Sequence, residues 1–161
     1  MKNKLILWIV GKTRLYVWFL ADLYDIRINK HVRPQGQHPV ILKGGTEEAK
    51  NNIPKTVYFN TRSGSITIGE NTVFGEDVMV LTGKHYSVAE AEAGNKLLHY
   101  VPEEGRDVTI GVGCYIGSGA IIIGKVDIGD YAVIGAGSVV TKNVPSRAFV
   151  AGVPARLIKV L

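Results

Sequence analysis

Four histidines, one cysteine and a run of loop carboxylates are the groups in this chain that could do chemistry. His85 stands out, because it follows Thr82-Gly83-Lys84 and opens a polar stretch containing Glu90, Glu92, His99, Glu103, Glu104 and Arg106. An imidazole that is neutral near pH 7 can take the proton of a hydroxyl, which transfer of a group to an alcohol requires. His99 lies in the same stretch and reads as incidental, while His31 and His38 carry no assigned role. Glu103, Glu104 and Asp107 could hydrogen-bond an acceptor or orient His85; solvated loop carboxylates are the alternative reading. Cys114 is the single cysteine, which excludes an intramolecular disulfide and any Cys-rich metal site and fits a reducing compartment.

The elements that must position these residues are written in a six-residue repeat. Stepping by six gives Ile68, Phe74 and Val80, then Ile110, Ile116, Ile122, Ile128, Ile134 and Val140. Glycine follows the leading residue at positions 69, 75, 111, 117, 129 and 135. Four residues after every leader except Val80 stands a small or β-branched residue: Thr72, Val78, Cys114, Ala120, Val126, Ala132, Ser138 and Val144. Side chains alternate faces along a strand, so the leader and the residue four on share the inward face. The glycine is expected to give the corner between strands its backbone freedom. Coils of short strands then stack as a parallel β-solenoid. Cys114 occupies an inward position and reads as core, not as a nucleophile.

From Val80 to Ile110 the repeat is interrupted but its phase is kept. About 24 residues, near Lys84 to Asp107, therefore leave the solenoid and return in register. A long polar excursion from a rigid scaffold is a usual home for binding chemistry. The domain reading is an N-terminal helical or extended segment over 1–39, a solenoid over 40–147 with its loop at 84–107, and a C-terminal tail over 148–161.

The net charge of +5 is unevenly spread. Residues 1–60 carry ten Lys/Arg against four Asp/Glu, whereas residues 61–161 carry nine against ten. A solvated helix face explains this most simply; anionic ligands or membrane headgroups are the alternative. Leu5, Trp8, Ile9, Tyr16, Phe19, Leu20 and Leu23 follow a helical period. Lys12 and Arg14 break the apolar run, so neither a signal peptide nor a transmembrane span is expected. Packing on the solenoid or on a neighbouring subunit is the default use of such a face, with peripheral membrane contact as the alternative. The expected location is cytoplasmic, with or without membrane association, and nucleic acid is not an expected partner.

The segment from Ile68 to His85 resembles the maltose and galactoside O-acetyltransferases, whose coils end in a similar Thr-Gly-His run before the loop. The runs Val133 to Pro145 and Ala151 to Arg156 match the same family, a branch of the hexapeptide-repeat acyltransferases. The N-terminal residues look more like the O-acetyltransferases of surface-polysaccharide pathways. The resemblance implies a left-handed parallel β-helix with three hexads per triangular coil, although ordinary parallel crossovers are right-handed. It implies acetyl-CoA as co-substrate and acetyl transfer to a saccharide hydroxyl, by direct attack with His85 as general base. On its residues, Tyr115, Ser118, Ala136, Thr141, Lys142 and Arg156 fall on positions that contact acetyl-CoA, and Asn60 on an acceptor-binding position. It also implies a homotrimer with the site between neighbours. Other readings of the same scaffold are N-acetylation of an amino-sugar, a γ-type carbonic anhydrase and a non-catalytic solenoid. The anhydrase needs three zinc histidines, and beyond the N-terminal third only His85 and His99 remain.

Overall fold

The computed structural model describes residues 35–43 and 52–161. The helical period over residues 5–23 lies outside the described residues.

Among the described residues, thirteen short strands and one helix follow each other. They are β1 (Val40–Leu42), β2 (Tyr58–Asn60), β3 (Ile66–Ile68), β4 (Val73–Phe74) and β5 (Met79–Leu81), then helix α1 (Val88–Gly94). After the helix come β6 (Val108–Ile110), β7 (Tyr115–Ile116), β8 (Ile121–Ile123), β9 (Val126–Ile128), β10 (Val133–Ile134), β11 (Val139–Val140), β12 (Ala148–Ala151) and β13 (Arg156–Val160). They assemble into three sheets, ordered β1-β3-β6-β9, β2-β5-β8-β11 and β4-β7-β10-β12-β13. Every pairing is parallel except β12 with β13.

From β3 to β11 the chain visits the three sheets in a fixed rotation, one strand per hexad. Val108 pairs with Val126, Tyr115 with Val133 and Ile121 with Val139, each eighteen residues on, so three hexads complete one coil. Ile66 pairs with Val108, forty-two residues on, which is one coil plus a 24-residue excursion. The chain leaves after β5 and re-enters at β6 without losing register, because the ladder constrains only the residues on either side of the break.

The nine leading residues are all buried, as are the eight small or β-branched residues four positions on. Together they form one core shared by the three sheets. Thr72 meets the cost of burying its hydroxyl by donating to the Gly111 carbonyl at 2.8 Å and accepting from the Cys114 N–H at 3.2 Å. Cys114 is core, and burial pushes its thiol pKa up, away from thiolate reactivity.

The glycines after the leaders do a different job from the expected one. None of Gly69, Gly75, Gly111, Gly117, Gly129 and Gly135 has a positive φ. Each instead lies under the next coil: a Cβ on Gly117 would sit 2.5 Å from the Ala136 nitrogen, and one on Gly129 2.4 Å from the Ser146 nitrogen. The left-handed backbone falls elsewhere. Asn71, Gly113, Tyr131 and Arg147 stack at one corner with φ of 57°, 63°, 58° and 57°, and Asp77, Gly119 and Gly137 at another. Each later member of a column donates its N–H to a carbonyl of the preceding coil, as Gly113 does to Glu70 and Tyr131 to Val112, both at 2.8 Å. The ladder of hydrogen bonds therefore runs on around the corners. Tyr131 and Arg147 lack glycine's tolerance of this region, and they sit in a stack: the Tyr131 ring covers Gly113, and the Arg147 guanidinium stands 5.4 Å from the centre of that ring.

The expected tail over 148–161 carries two strands joined by a turn. Ala148 and Val150 face the core, β12 extends the β10 ladder, and β13 folds back on β12 antiparallel. Period-six reading stops short here because Phe149 pairs with Val133 sixteen residues back, not eighteen.

In an ordinary strand, replacing glycine by alanine stabilises; Gly117→Ala should do the reverse. The Cβ must push two coils apart, at a cost of about 1–3 kcal/mol for overpacking. Denaturant unfolding of the variant checks this, and a neutral or raised midpoint would show that coil contact does not require the glycine.

Candidate active site

The break in the repeat is built from the coil beneath it. Asn60 of β2 pairs with Leu81 of β5, and its side-chain oxygen accepts the Arg62 N–H at 3.0 Å. Thr82, buried, donates its hydroxyl to the Asn60 carbonyl and accepts the Ser63 N–H. Gly83 then passes so close that a Cβ there would lie 2.9 Å from Asn60 Oδ1. Asn60 thus stands against the backbone two residues before His85, where the chain turns out of the coil.

His85 is exposed, and its Nδ1 lies 2.9 Å from the carbonyl oxygen of His99. A carbonyl can only accept, so Nδ1 carries the proton and the lone pair of the neutral ring is on Nε2. The excursion therefore holds its own imidazole in the tautomer that leaves Nε2 as an acceptor.

The rest of the excursion is folded around anchors. Ser87 caps α1 in a capping box: its hydroxyl accepts from the Glu90 N–H, and the Glu90 carboxylate accepts from the Ser87 N–H at 2.8 Å. Asn95 closes the helix in the left-handed region. Arg106 pairs with Glu90 at 2.7 Å and donates its N–H to the Ser63 carbonyl, tying helix and return strand to the coil. Asp107 accepts the N–H and the hydroxyl of Ser65, at 2.7 and 2.8 Å, and these bonds hold its carboxyl below the usual carboxylate range. His38 Nε2 donates to the Glu103 carbonyl at 2.7 Å. Tyr100 donates nothing to His85 but stacks on His99, ring centres 4.8 Å apart, and its carbonyl accepts the Tyr86 N–H.

Of the acidic candidates, Glu103 and Glu104 are exposed, and no described contact joins their carboxylates to His85. The residues that shape the site and carry no role in the sequence reading are His99, through its carbonyl, and His38 and Arg106, as anchors. A backbone acceptor fourteen residues from its partner leaves no trace in residue types.

The six residues for which the resemblance implies coenzyme contact fall into three sets. Tyr115 faces outward on β7 between Val73 and Val133. Ser118 and Ala136 lie on successive turns of one corner, Ser118 directly over Gly75 and Ala136 over Gly117. Thr141, Lys142 and Arg156 come together around an open cleft of about 260 Å³ at the end of the coils, floored by Val144, Pro145 and Ala155. Two cations beside an apolar floor suit a phosphate-bearing ligand with an apolar portion. Among the described residues no helix is long and apolar enough to cross a membrane, and no three His, Cys, Asp or Glu side chains are placed to hold a metal ion.

Comparison with known proteins gives this geometry a context. Residues 107–142 match the bacterial transferase hexapeptide family, in its six-repeat form. A serine acetyltransferase of Buchnera aphidicola is 41% identical over 93 residues, which are 58% of this chain and 31% of that protein. The galactoside O-acetyltransferase of Escherichia coli is 36% identical over 95 residues, 59% of this chain and 44% of that one. The chain thus spans less than half the length of these curated relatives. A Bacillus cereus N-acyltransferase, AntD, solved with dTDP-4-amino-4,6-dideoxyglucose and coenzyme A, superposes over 88% of both chains with a TM-score of 0.52 and 19% identity. That likeness is one of fold: three sheets of short parallel strands wound as a left-handed parallel β-helix.

The Ser87 N–H, the Ser87 hydroxyl and Arg106 together hold the Glu90 carboxyl down at about 2, against an ordinary 4.5. A depressed folded value means that the capping contribution is complete above the ordinary value and is lost as pH falls through about 2. Carbon-detected NMR titration should place the Glu90 midpoint near that lower figure, and Glu90→Gln should speed amide exchange in α1 while leaving the coils protected. A midpoint near 4.5 would contradict the capping box and the Arg106 pair.

Proposed function

Because the chain carries the hexapeptide repeat of the bacterial transferases, we propose that it is an acetyl-CoA-dependent acetyltransferase that moves an acetyl group to a hydroxyl of a saccharide or sugar precursor. The observation that carries this reading is His85, held by the His99 carbonyl with Nε2 free to accept a proton at the edge of a rigid coil. Acetyl-CoA supplies an activated acyl group as a thioester. The protein's own contribution is placement and proton transfer. Nε2 takes the proton of the acceptor hydroxyl as that oxygen attacks, and the resulting imidazolium keeps its hydrogen bond to the His99 carbonyl. Asn60, beside Gly83, offers a hydrogen-bonding group on the acceptor side. Glu103 and Glu104 serve acceptor hydroxyls from the excursion. Lys142 and Arg156 hold the phosphates of the coenzyme at the cleft, with Thr141 beside them, while Tyr115, Ser118 and Ala136 contact its extended arm. Direct transfer fits the buried thiol of Cys114, which offers no acyl-enzyme route.

The identities of the relatives favour a second acceptor class as well. The serine acetyltransferase match is as extensive as the galactoside one, so serine belongs in the same acceptor screen as free and nucleotide-linked sugars, with amino-sugars to separate O- from N-acetylation.

The unit of function in this reading is a homotrimer. Tyr58, Met79, Ile121 and Val139 line up in register on the outer face of one sheet, the first two more than 40% exposed, and an apolar sheet face of this kind suits a neighbouring copy. Light scattering should report three chains, and full activity from a verified monomer would exclude a shared site.

His85→Ala should keep coenzyme A binding and lose about a hundred- to ten-thousandfold in transfer, the usual range for removing a general base. Calorimetry with coenzyme A and a thiol-release assay read the two quantities separately. Near-normal turnover in that variant would remove His85 from the mechanism.

A further inference from the structure

The corner that releases the excursion also gathers cations from three successive coils. Leu81 pairs with Ile123, and Val140 with Ile122, so the residues after β5, β8 and β11 stack on one edge. Lys84 leaves the first of these turns and lays its side chain across Gly124 of the next coil, its Cδ 3.2 Å from where a glycine Cβ would be. Lys125 follows Gly124 directly, and Lys142 belongs to the turn of the third coil. All three are exposed, and none pairs with a carboxylate among the described residues. Of the nearby carboxylates, Asp107 feels Lys125 but already accepts both Ser65 donors, and Asp127 stands on the outer face of β9. Lys142 belongs with the coenzyme cleft. Lys84 and Lys125 are left over, one residue and one coil from His85.

We propose that Lys84 and Lys125 bind the phosphoryl group of the acceptor, so that the acceptor is a phosphorylated or nucleoside-diphosphate-linked saccharide. This rests on the acetyltransferase reading of His85 for its chemistry, though not for the anion site itself. Adjacent coils are about 4.8 Å apart, a spacing at which two ammonium groups can converge on one phosphoryl dianion. Lysine serves such groups as a point charge without the planar fork by which arginine grips a carboxylate. The sugar hydroxyl is then presented to a base on the same turn that supplies Lys84.

Pyrophosphate titrated into the full chain with coenzyme A at saturation separates this site from the coenzyme's own phosphate contacts. Wild-type protein should bind it, the Lys84→Met/Lys125→Met double variant at least about tenfold more weakly, as expected for losing two charge-assisted contacts, and the double arginine variant should retain it. No binding while coenzyme A is bound, or equal binding by the methionine variant with its circular dichroism unchanged, overturns the proposal. With acetyl-CoA, sugar phosphates and nucleotide sugars should be acetylated in preference to their neutral parents, and the methionine variant should raise KM for the charged acceptors while sparing kcat. Preference for neutral sugars would overturn the acceptor assignment and leave acetyl transfer standing. Pyrophosphate binding without transfer to any acceptor would instead break the acetyltransferase reading and leave the anion site in place.

Discussion

Coils of this solenoid lie one strand spacing apart, about 4.8 Å, and at several corners that distance leaves room for backbone and nothing more. Gly69, Gly111 and Gly117 each face main-chain atoms of the next coil across a gap in which a Cβ would stand 2.5–2.9 Å from them. Everything else depends on that contact. It lets the corner N–H groups reach the preceding coil, so the polar backbone stays paired around each bend. It also fixes the heights at which side chains from different coils meet. Ser118 over Gly75, and Lys84 across Gly124, are products of stacking between residues far apart in sequence.

Rigidity of this kind divides the labour of the site. The coils set positions, and the excursion sets orientation. His85 stands one residue beyond a turn closed by Asn60 and Thr82, so its backbone inherits the precision of the ladder. Its ring is aimed by a carbonyl from the far arm of the excursion, which is itself tied down through Arg106, Asp107 and His38. An imidazole aimed this way depends on the loop being folded, and the folding of the loop depends on a short capped helix and a few polar contacts, with Ala91 its one buried helical residue. The part that completes the imidazole is therefore held by far fewer buried apolar contacts than the coils.

Much of this was readable from residue spacing. The leaders from Ile68 to Val140 declare the inward face, and the in-phase gap after Val80 declares an excursion of the right length. The glycines show where such reading fails. A glycine in a sequence says that a Cβ is unwelcome without saying why, and here the reason is a neighbour sixteen or more residues away. Conversely, the left-handed corners at Tyr131 and Arg147 carry no glycine to announce them, because a stacked ring and guanidinium support the conformation. In the site, His85 is visible through its motif and Lys142 through its turn. The His99 carbonyl is invisible, since every residue has one, and the gathering of Arg156 with Thr141 needs the reversal between β12 and β13, for which the six-residue step has no place.

That reversal has a consequence for how copies of this chain coexist at high concentration. A parallel solenoid ends in open strand edges of fixed direction, and a second copy arriving end-on could continue the ladder without limit. β13 lies along the outer side of β12 with the opposite chain direction. To a parallel coil it offers hydrogen-bonding groups in the wrong order, on the one sheet that extends furthest. On that sheet the reversed strand opposes parallel continuation of the ladder through its polarity.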